Sequence, residues 1–219
     1  MRMVTSGIPV ILAQPYLPGM VRRYLGHRVA GADIRRVDWR PGMGFDSDEA
    51  MLAELAGREC LLFAGMGSDG NTTARAGLFA SLTRAGARIL PAVFDAALLA
   101  EDVTLGHGTL VYPQAIIDGG VSIGYNTLIG PNAIIEAGCV IGNHCVIGAN
   151  VILKAGTRVE SSVLLADGCH VGEARSFPDR PFITIRRGVA VRDATRIRDD
   201  MASNVMIDAS VGDTIRVFR

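Results

Sequence analysis

Twelve consecutive six-residue units run without insertion from Val103 to Ala174. The third residue of every unit is a branched aliphatic: Leu105, Val111, Ile117, Ile123, Ile129, Ile135, Ile141, Ile147, Leu153, Val159, Leu165 and Val171. The first residue is small or β-branched, from Val103 and Thr109 to Cys145 and Cys169, and glycine or asparagine recurs at the unit ends. Those two residues punctuate turns because they tolerate backbone angles closed to most others. An aliphatic once every six residues reaches a common axis only if the chain turns a corner in each unit. The period therefore predicts a β-solenoid, each rung burying its aliphatics against the rungs above and below at roughly 4.8 Å.

Composition points the same way. With 26 glycines, 49% hydrophobic residues and only 5% aromatics, the core must be built from small aliphatic side chains. The 22 basic and 22 acidic residues cancel, which removes the electrostatic footprint that nucleic acid or an anionic membrane surface requires. No run of about 18 apolar residues exists to cross a bilayer. Met1 to Gly19 lacks the long apolar stretch of a secretory signal, and Cys60, Cys139, Cys145 and Cys169 show no Cys-x-x-Cys spacing. The expectation is a cytoplasmic protein with reduced, buried thiols.

Ahead of the repeat, Ile8 to Ala13, Arg28 to Gly31 and Glu59 to Ala64 read as short strands, while Asp48 to Ala56 and Asn71 to Ala85 carry helical spacing. This alternation predicts a small parallel α/β sheet. Gly65-Met66-Gly67-Ser68-Asp69-Gly70 is a G-x-G-x-x-G that follows one strand and opens a helix. Glycines at that place let backbone N–H groups approach a phosphate, with the helix dipole behind them. Gly65, Gly67, Ser68, Gly70 and Asn71 are therefore candidate substrate-binding residues, the other reading being a plain glycine-rich turn.

The hexads resemble those of the hexapeptide-repeat acyltransferases. An α/β region ahead of them, with a Leu78-Phe79 helix after a glycine loop, resembles the branch that acylates nucleotide-linked amino sugars or sialic acids on bacterial surface glycans. The resemblance implies a mainly β chain, a left-handed parallel β-helix preceded by a small α/β Rossmann-like domain. Residues 1–100 would form that domain, residues 101–174 a β-helix of about four coils, and residues 175–219 a β-rich extension. It further implies a homotrimer that uses acetyl-CoA or another acyl-CoA as co-substrate, with a small-molecule acceptor. The family's nucleotide-sugar loop falls here on Gln14-Pro15-Tyr16-Leu17-Pro18-Gly19, a different chemistry from a glycine-rich turn.

Acyl transfer to an amine or hydroxyl needs a base, most often histidine. The position at which the family carries its histidine is Ala137, and the acidic residue beside it is Gly138. The family's carboxyl-terminal Gly-x-Pro-Ala-Lys segment is also not found. Either the site has moved or the chain is a non-catalytic β-helix that binds a metabolite or partner enzyme. Residues three hexads apart stand on one edge of successive coils, and this ranks the alternatives. His144 falls between Asn126 and Ser162, as a moved base with Asn126 as a substrate contact, or as an ordinary corner residue. Glu136 falls between Asp118 and Lys154, as a base or amine-recognising carboxylate, or as one half of an ion pair. His107 aligns with Tyr125 as an aromatic pair.

Zinc chemistry of the β-helix carbonic anhydrase kind needs a further histidine five residues beyond His144, where the chain has Ala149, so no metal is expected. The tail after Ala174 carries nine arginines and six aspartates. Its arginines are phosphate ligands, or partners of Asp179, Asp193, Asp199 and Asp200 in an extension that caps the solenoid's open end.

Overall fold

The computed structural model of the protein describes residues 10–13, 34–36, 39–40, 44–45, 49–63, 72–173, 182–192, 194–208 and 215–217. The chain is mainly β, a parallel solenoid of about six turns. Each hexad supplies one two-residue strand, such as Leu128–Ile129, Ile134–Ile135 and Val140–Ile141, and three successive strands make a coil. Each strand pairs in parallel with its counterpart three hexads on: Leu128 with Val146, Ile134 with Ile152, Val140 with Arg158. Ile129, Ile135, Ile147, Leu153 and Leu165 are fully buried, and with the other third-position aliphatics they form one continuous core.

Corners explain the first and last positions of each hexad. The last residue adopts a positive φ in every hexad from Gly108 to Gly168, as at Gly120 (69°), Asn126 (56°), Asn132 (57°) and Gly138 (69°), which is why glycine and asparagine recur there. Several buried first-position side chains that are polar donate across to the next coil, while Thr157 Oγ1 donates to Lys154 O at 2.6 Å. Thr109 Oγ1 bonds to Gly124 O at 2.7 Å, Thr127 Oγ1 to Gly142 O at 2.9 Å, and Cys145 Sγ to Glu160 O at 3.1 Å. Each donor thereby avoids the cost of burial without a partner.

The ladder extends beyond the twelve hexads in both directions. It begins with Ala92–Val93, which pairs with Leu110–Val111. It resumes after residues 174–181 at Thr184–Ile185, Ala190–Val191 and Arg196–Ile197, and runs to Val205–Ile207. Ile185, Val191 and Ile197 restore the inward aliphatic. Ile215–Val217 then pairs antiparallel with Val205–Ile207, so that edge of the last coil is covered. Among the described tail residues, Arg198 Nε bonds Glu173 Oε1 at 2.8 Å, Arg186 approaches Glu160 at 3.9 Å, and Arg192 approaches Asp208 at 4.0 Å. The described arginines thus meet Glu160, Glu173 and Asp208, Asp200 accepts the Thr184 N–H at 2.8 Å, and Asp179 and Asp193 lie outside the described residues.

At the amino-terminal side, Ile34–Arg36, Val10–Ala13, Glu59–Phe63 and Arg88–Ile89 form a four-stranded parallel sheet in that order. Arg28 to Gly31, expected as a strand, lies outside the described residues, and the strand beside Val10–Ala13 is Ile34–Arg36. Helices Glu49–Leu55 and Thr72–Arg84 agree with the expected spans within a few residues. Cys60, Leu61, Leu62 and Phe63 are all fully buried, as a parallel strand covered on both faces must be.

The three faces of the solenoid differ. Outward residues Ala92, Leu110, Leu128 and Leu164 of the first face are buried. The second face presents the apolar column Leu98, Ile116, Ile134 and Ile152, with Leu98 64% and Ile116 44% exposed. The third carries exposed Thr104, Ser122, Val140 and Arg158. Burial separates the inner and outer positions energetically. Ile135→Ala should lower unfolding stability by about 2–5 kcal/mol, and Val140→Ala on the third face by less than about 1 kcal/mol, in chemical denaturation.

Candidate functional site

His144 closes a hexad with a positive φ of 56°, a conformation that histidine tolerates better than most residues. Its peptide N–H donates to Tyr125 O at 2.9 Å, in the same ladder of bonds that joins Asn126 N to His107 O and Ser162 N to Asn143 O. The corner is therefore rigid, and it projects the imidazole into a half-buried niche. Tyr125 and Phe79 stack on one another with centroids 5.5 Å apart, and His144 stands perpendicular to both, at 5.0 and 5.9 Å. Tyr125 thus stacks on Phe79 of the Thr72–Arg84 helix and not on His107, whose ring is exposed.

That helix is fastened to the solenoid by a buried cation. Arg75 is 1% exposed, and its guanidinium donates to Leu62 O at 2.9 Å and to Gly108 O at 2.8 Å, linking sheet strand, helix and solenoid corner. Burial lowers its pKa to about 10, so it stays charged at neutral pH. Gly108, at φ 68°, has no room for a side chain: a Cβ there would lie 2.8 Å from Phe79 Cε2. Arg75, Leu78, Phe79 and Leu82 share one buried helical stripe, and an arginine within an apolar stripe is the signal by which sequence alone could have found this clamp.

Burial first, and the charge of Arg75 second, push the His144 imidazole below its ordinary value of 6.5. Asn126 Nδ2 faces His144 Nδ1 at 2.7 Å. Asn126 is itself 2% exposed, so the contact it makes is with this ring.

Glu136 stands at a different corner, before the Val140–Ile141 strand, whereas His144 stands after it. One carboxylate oxygen accepts the Ala155 N–H at 2.9 Å and the other pairs with Lys154 Nζ. This ion pair is the one the three-hexad ladder predicts. Asp118 turns to its own neighbour, Gly119 N, at 2.7 Å. Asp118 and Glu136 border a groove of about 360 Å³ on the apolar face, floored by Leu98, Ile116 and Ile134. Within one chain, His144 and Glu136 are not brought together. Gly65, Gly67, Ser68, Gly70 and Asn71 lie outside the described residues, as does the Gln14 to Gly19 segment. Among the described residues no group of three or more His, Cys, Asp or Glu side chains could hold a metal ion, and no helix is long and apolar enough to cross a membrane.

The sequence profile of the bacterial transferase hexapeptide, six repeats, matches residues 120–155. The fold decides the rest. The acetyltransferase domain of PglB from Neisseria gonorrhoeae superposes with a TM-score of 0.72 at 14% identity, covering 95% of this chain and 98% of that one. The chain has the repeat and the fold of the hexapeptide acyltransferases. The same PglB domain in complex with acetyl coenzyme A superposes at 0.67, with 15% identity over 95% and 98% of the two chains. A variant of GDP-perosamine N-acetyl transferase from Caulobacter crescentus, in complex with CoA and GDP-perosamine, superposes at 0.62, with 22% identity over 98% and 99%. No curated protein matches the chain in sequence.

The His144 shift sets a pH dependence of stability. Its folded pKa lies below the unfolded one, so the unfolded chain binds the proton that the folded chain refuses, and stability falls as pH drops below about 6.5. His170, pushed down by burial and then by Arg196 and Lys154 against the opposing pull of Glu136, adds a slope of the same sign. Thermal melts from pH 7.5 to 5 should show a falling midpoint. His144→Asn, which suits the positive φ, should remove part of the slope, and adding His170→Gln should remove most of the remainder.

Proposed function

We propose that the protein transfers an acetyl or other acyl group from acyl-CoA to an amino or hydroxyl group of a sugar-like, nucleotide-linked acceptor in surface-glycan synthesis. In this reading it is a cytoplasmic homotrimer, made of a Rossmann-like domain and a left-handed β-helix. The observation that carries the proposal is the half-buried imidazole of His144, which burial pushes below its ordinary value and which Phe79 of the Thr72–Arg84 helix walls. A neutral imidazole accepts a proton at pH 7, which acyl transfer to a nucleophile requires. Gly65, Gly67, Ser68, Gly70 and Asn71 hold the acceptor's phosphates, while Glu136 recognises its amine. The fold shared with acetyltransferases over nearly the whole chain supports the reaction class.

The homotrimer rests on the column of exposed Leu98 and Ile116 and half-buried Ile134, an apolar strip too continuous for a solvent-facing β surface. A copy packed there would also bring a second chain's corners beside Glu136. Sedimentation should show a trimer for the native protein, and Ile116→Lys should release monomers.

In the reaction, the acceptor's lone pair attacks the thioester carbonyl carbon while its proton passes to His144. The carbon–sulfur bond then breaks, and the coenzyme A thiolate takes that proton. Thermal unfolding against acetyl-CoA, longer acyl-CoAs, free coenzyme A and a panel of nucleotide sugars checks both halves of the site, since a ligand at 100 times its Kd adds about 2.7 kcal/mol. Both ligand classes should raise the midpoint. His144→Ala and Glu136→Gln should each lower turnover by about 100-fold. Unchanged turnover in both variants removes both residues from the mechanism.

Ala137 and Gly138, at the family's catalytic pair, favour a second reading: a non-catalytic β-helix that binds a metabolite or partner enzyme. Stabilisation by nucleotide sugars alone, with no turnover, supports that reading.

A further inference from the structure

Asn126 lies one coil below His144, and its side chain is buried at the junction corner. It is 2% exposed, its Nδ2 faces His144 Nδ1 at 2.7 Å, and its Oδ1 meets no donor. A buried amide oxygen without a partner is uncommon in folded proteins and calls for an explanation. With Nδ2 donating, Nδ1 supplies the lone pair and the ring proton resides on Nε2. His144 is then a donor at Nε2, the reverse of what a base needs. Flipping the amide end for end exchanges two atoms of similar size in the same volume. Oδ1 then accepts from Nδ1–H, and the Nε2 lone pair is free.

We propose that Asn126 is a positioning residue that selects the tautomer of His144, its Oδ1 being the acceptor for Nδ1–H when His144 takes a proton at Nε2. This inference rests on the proposal that His144 is the base. The acceptor's proton goes to Nε2 as the new bond to the acyl carbon forms, giving an imidazolium with a proton on each nitrogen. Asn126 Oδ1 holds the one on Nδ1. The carbon–sulfur bond breaks, and Nε2 returns its proton to the departing thiolate. Among the described residues, those that meet the ring are Asn126, Phe79 and Tyr125, with the Arg75 charge beside it. Arg75 on the helix is a cation, Phe79 and Tyr125 present their rings, and the Cys145 thiol is bonded to Glu160 O and Asn143 O.

Two variants with intact backbone geometry test this, because Asp and Gly both tolerate the positive φ at position 126. The first readout is the tautomer and titration midpoint of His144, by nitrogen-detected NMR of histidine-labelled protein, and the second is the pH profile of kcat/KM. In the native protein the free state should be the Nε2–H tautomer with a midpoint below 6.5. Asn126→Asp, which can only accept, should move the proton to Nδ1 and raise the midpoint by about one pH unit or more. The acid limb of the activity profile should rise with it. Asn126→Gly should yield a mixture of tautomers and a kcat about tenfold lower, with KM within about twofold. An unchanged tautomer and midpoint in both variants would overturn the inference, whatever the activity. A tautomer and midpoint that move as expected, with turnover unaffected, sustain Asn126 as the selector and reject His144 as the base.

Discussion

The stacking of one aliphatic side chain per hexad, in register at every third hexad, is the constraint on which the remaining structure depends. It forces three corners per coil, each corner forces a positive φ, and the positive φ favours glycine and asparagine, with His144, Gln114, Ser162 and Ala96 at the other corners. Because each coil touches chiefly its neighbours, the solenoid acts as a straight post with three flat faces of independent character. Side chains at a corner inherit the precision of the backbone ladder beneath them. A proton-transfer group placed there moves little without breaking inter-coil bonds.

The second determinant is the junction where the Thr72–Arg84 helix meets the post. Aromatic residues are scarce in this chain, yet Phe63, Phe94 and Tyr112 interlock at the first coils while Phe79 and Tyr125 enclose His144. Arg75 satisfies carbonyls on both sides of the seam, so that withdrawing it would strand buried acceptors. The same burial and the same guanidinium push the His144 pKa down. Stability of the seam and basicity of the ring thus have common causes.

How far the sequence was legible follows the physics of each feature. The hexads, the three-hexad register and the Glu136–Lys154 pair are legible because a solenoid converts sequence distance into spatial distance by a fixed rule. The first coil carries a weaker signal although Val93 and Leu99 obey the period, since its corner residue is Ala96, at φ 67°, and not glycine or asparagine. The continuation after residue 173 is hidden by a longer connection: Val159 pairs with Ile185, well past the place that the hexad period would give its partner. The pairing of Tyr125 with Phe79 in place of His107 had no periodic signal at all, because it joins a helix to a corner far along the chain.

Sequence alone determined the solenoid, its core and its corner conformations, since these arise from local period and nearest-coil contact. Only the tertiary structure decided which corner is covered by the helix and that Asn126 is buried against the imidazole. Those outcomes depend on the docking of the α/β region onto one part of the post. Docking is a non-local packing choice, made by Arg75, Phe79 and Gly108 together, and no period in the chain encodes it.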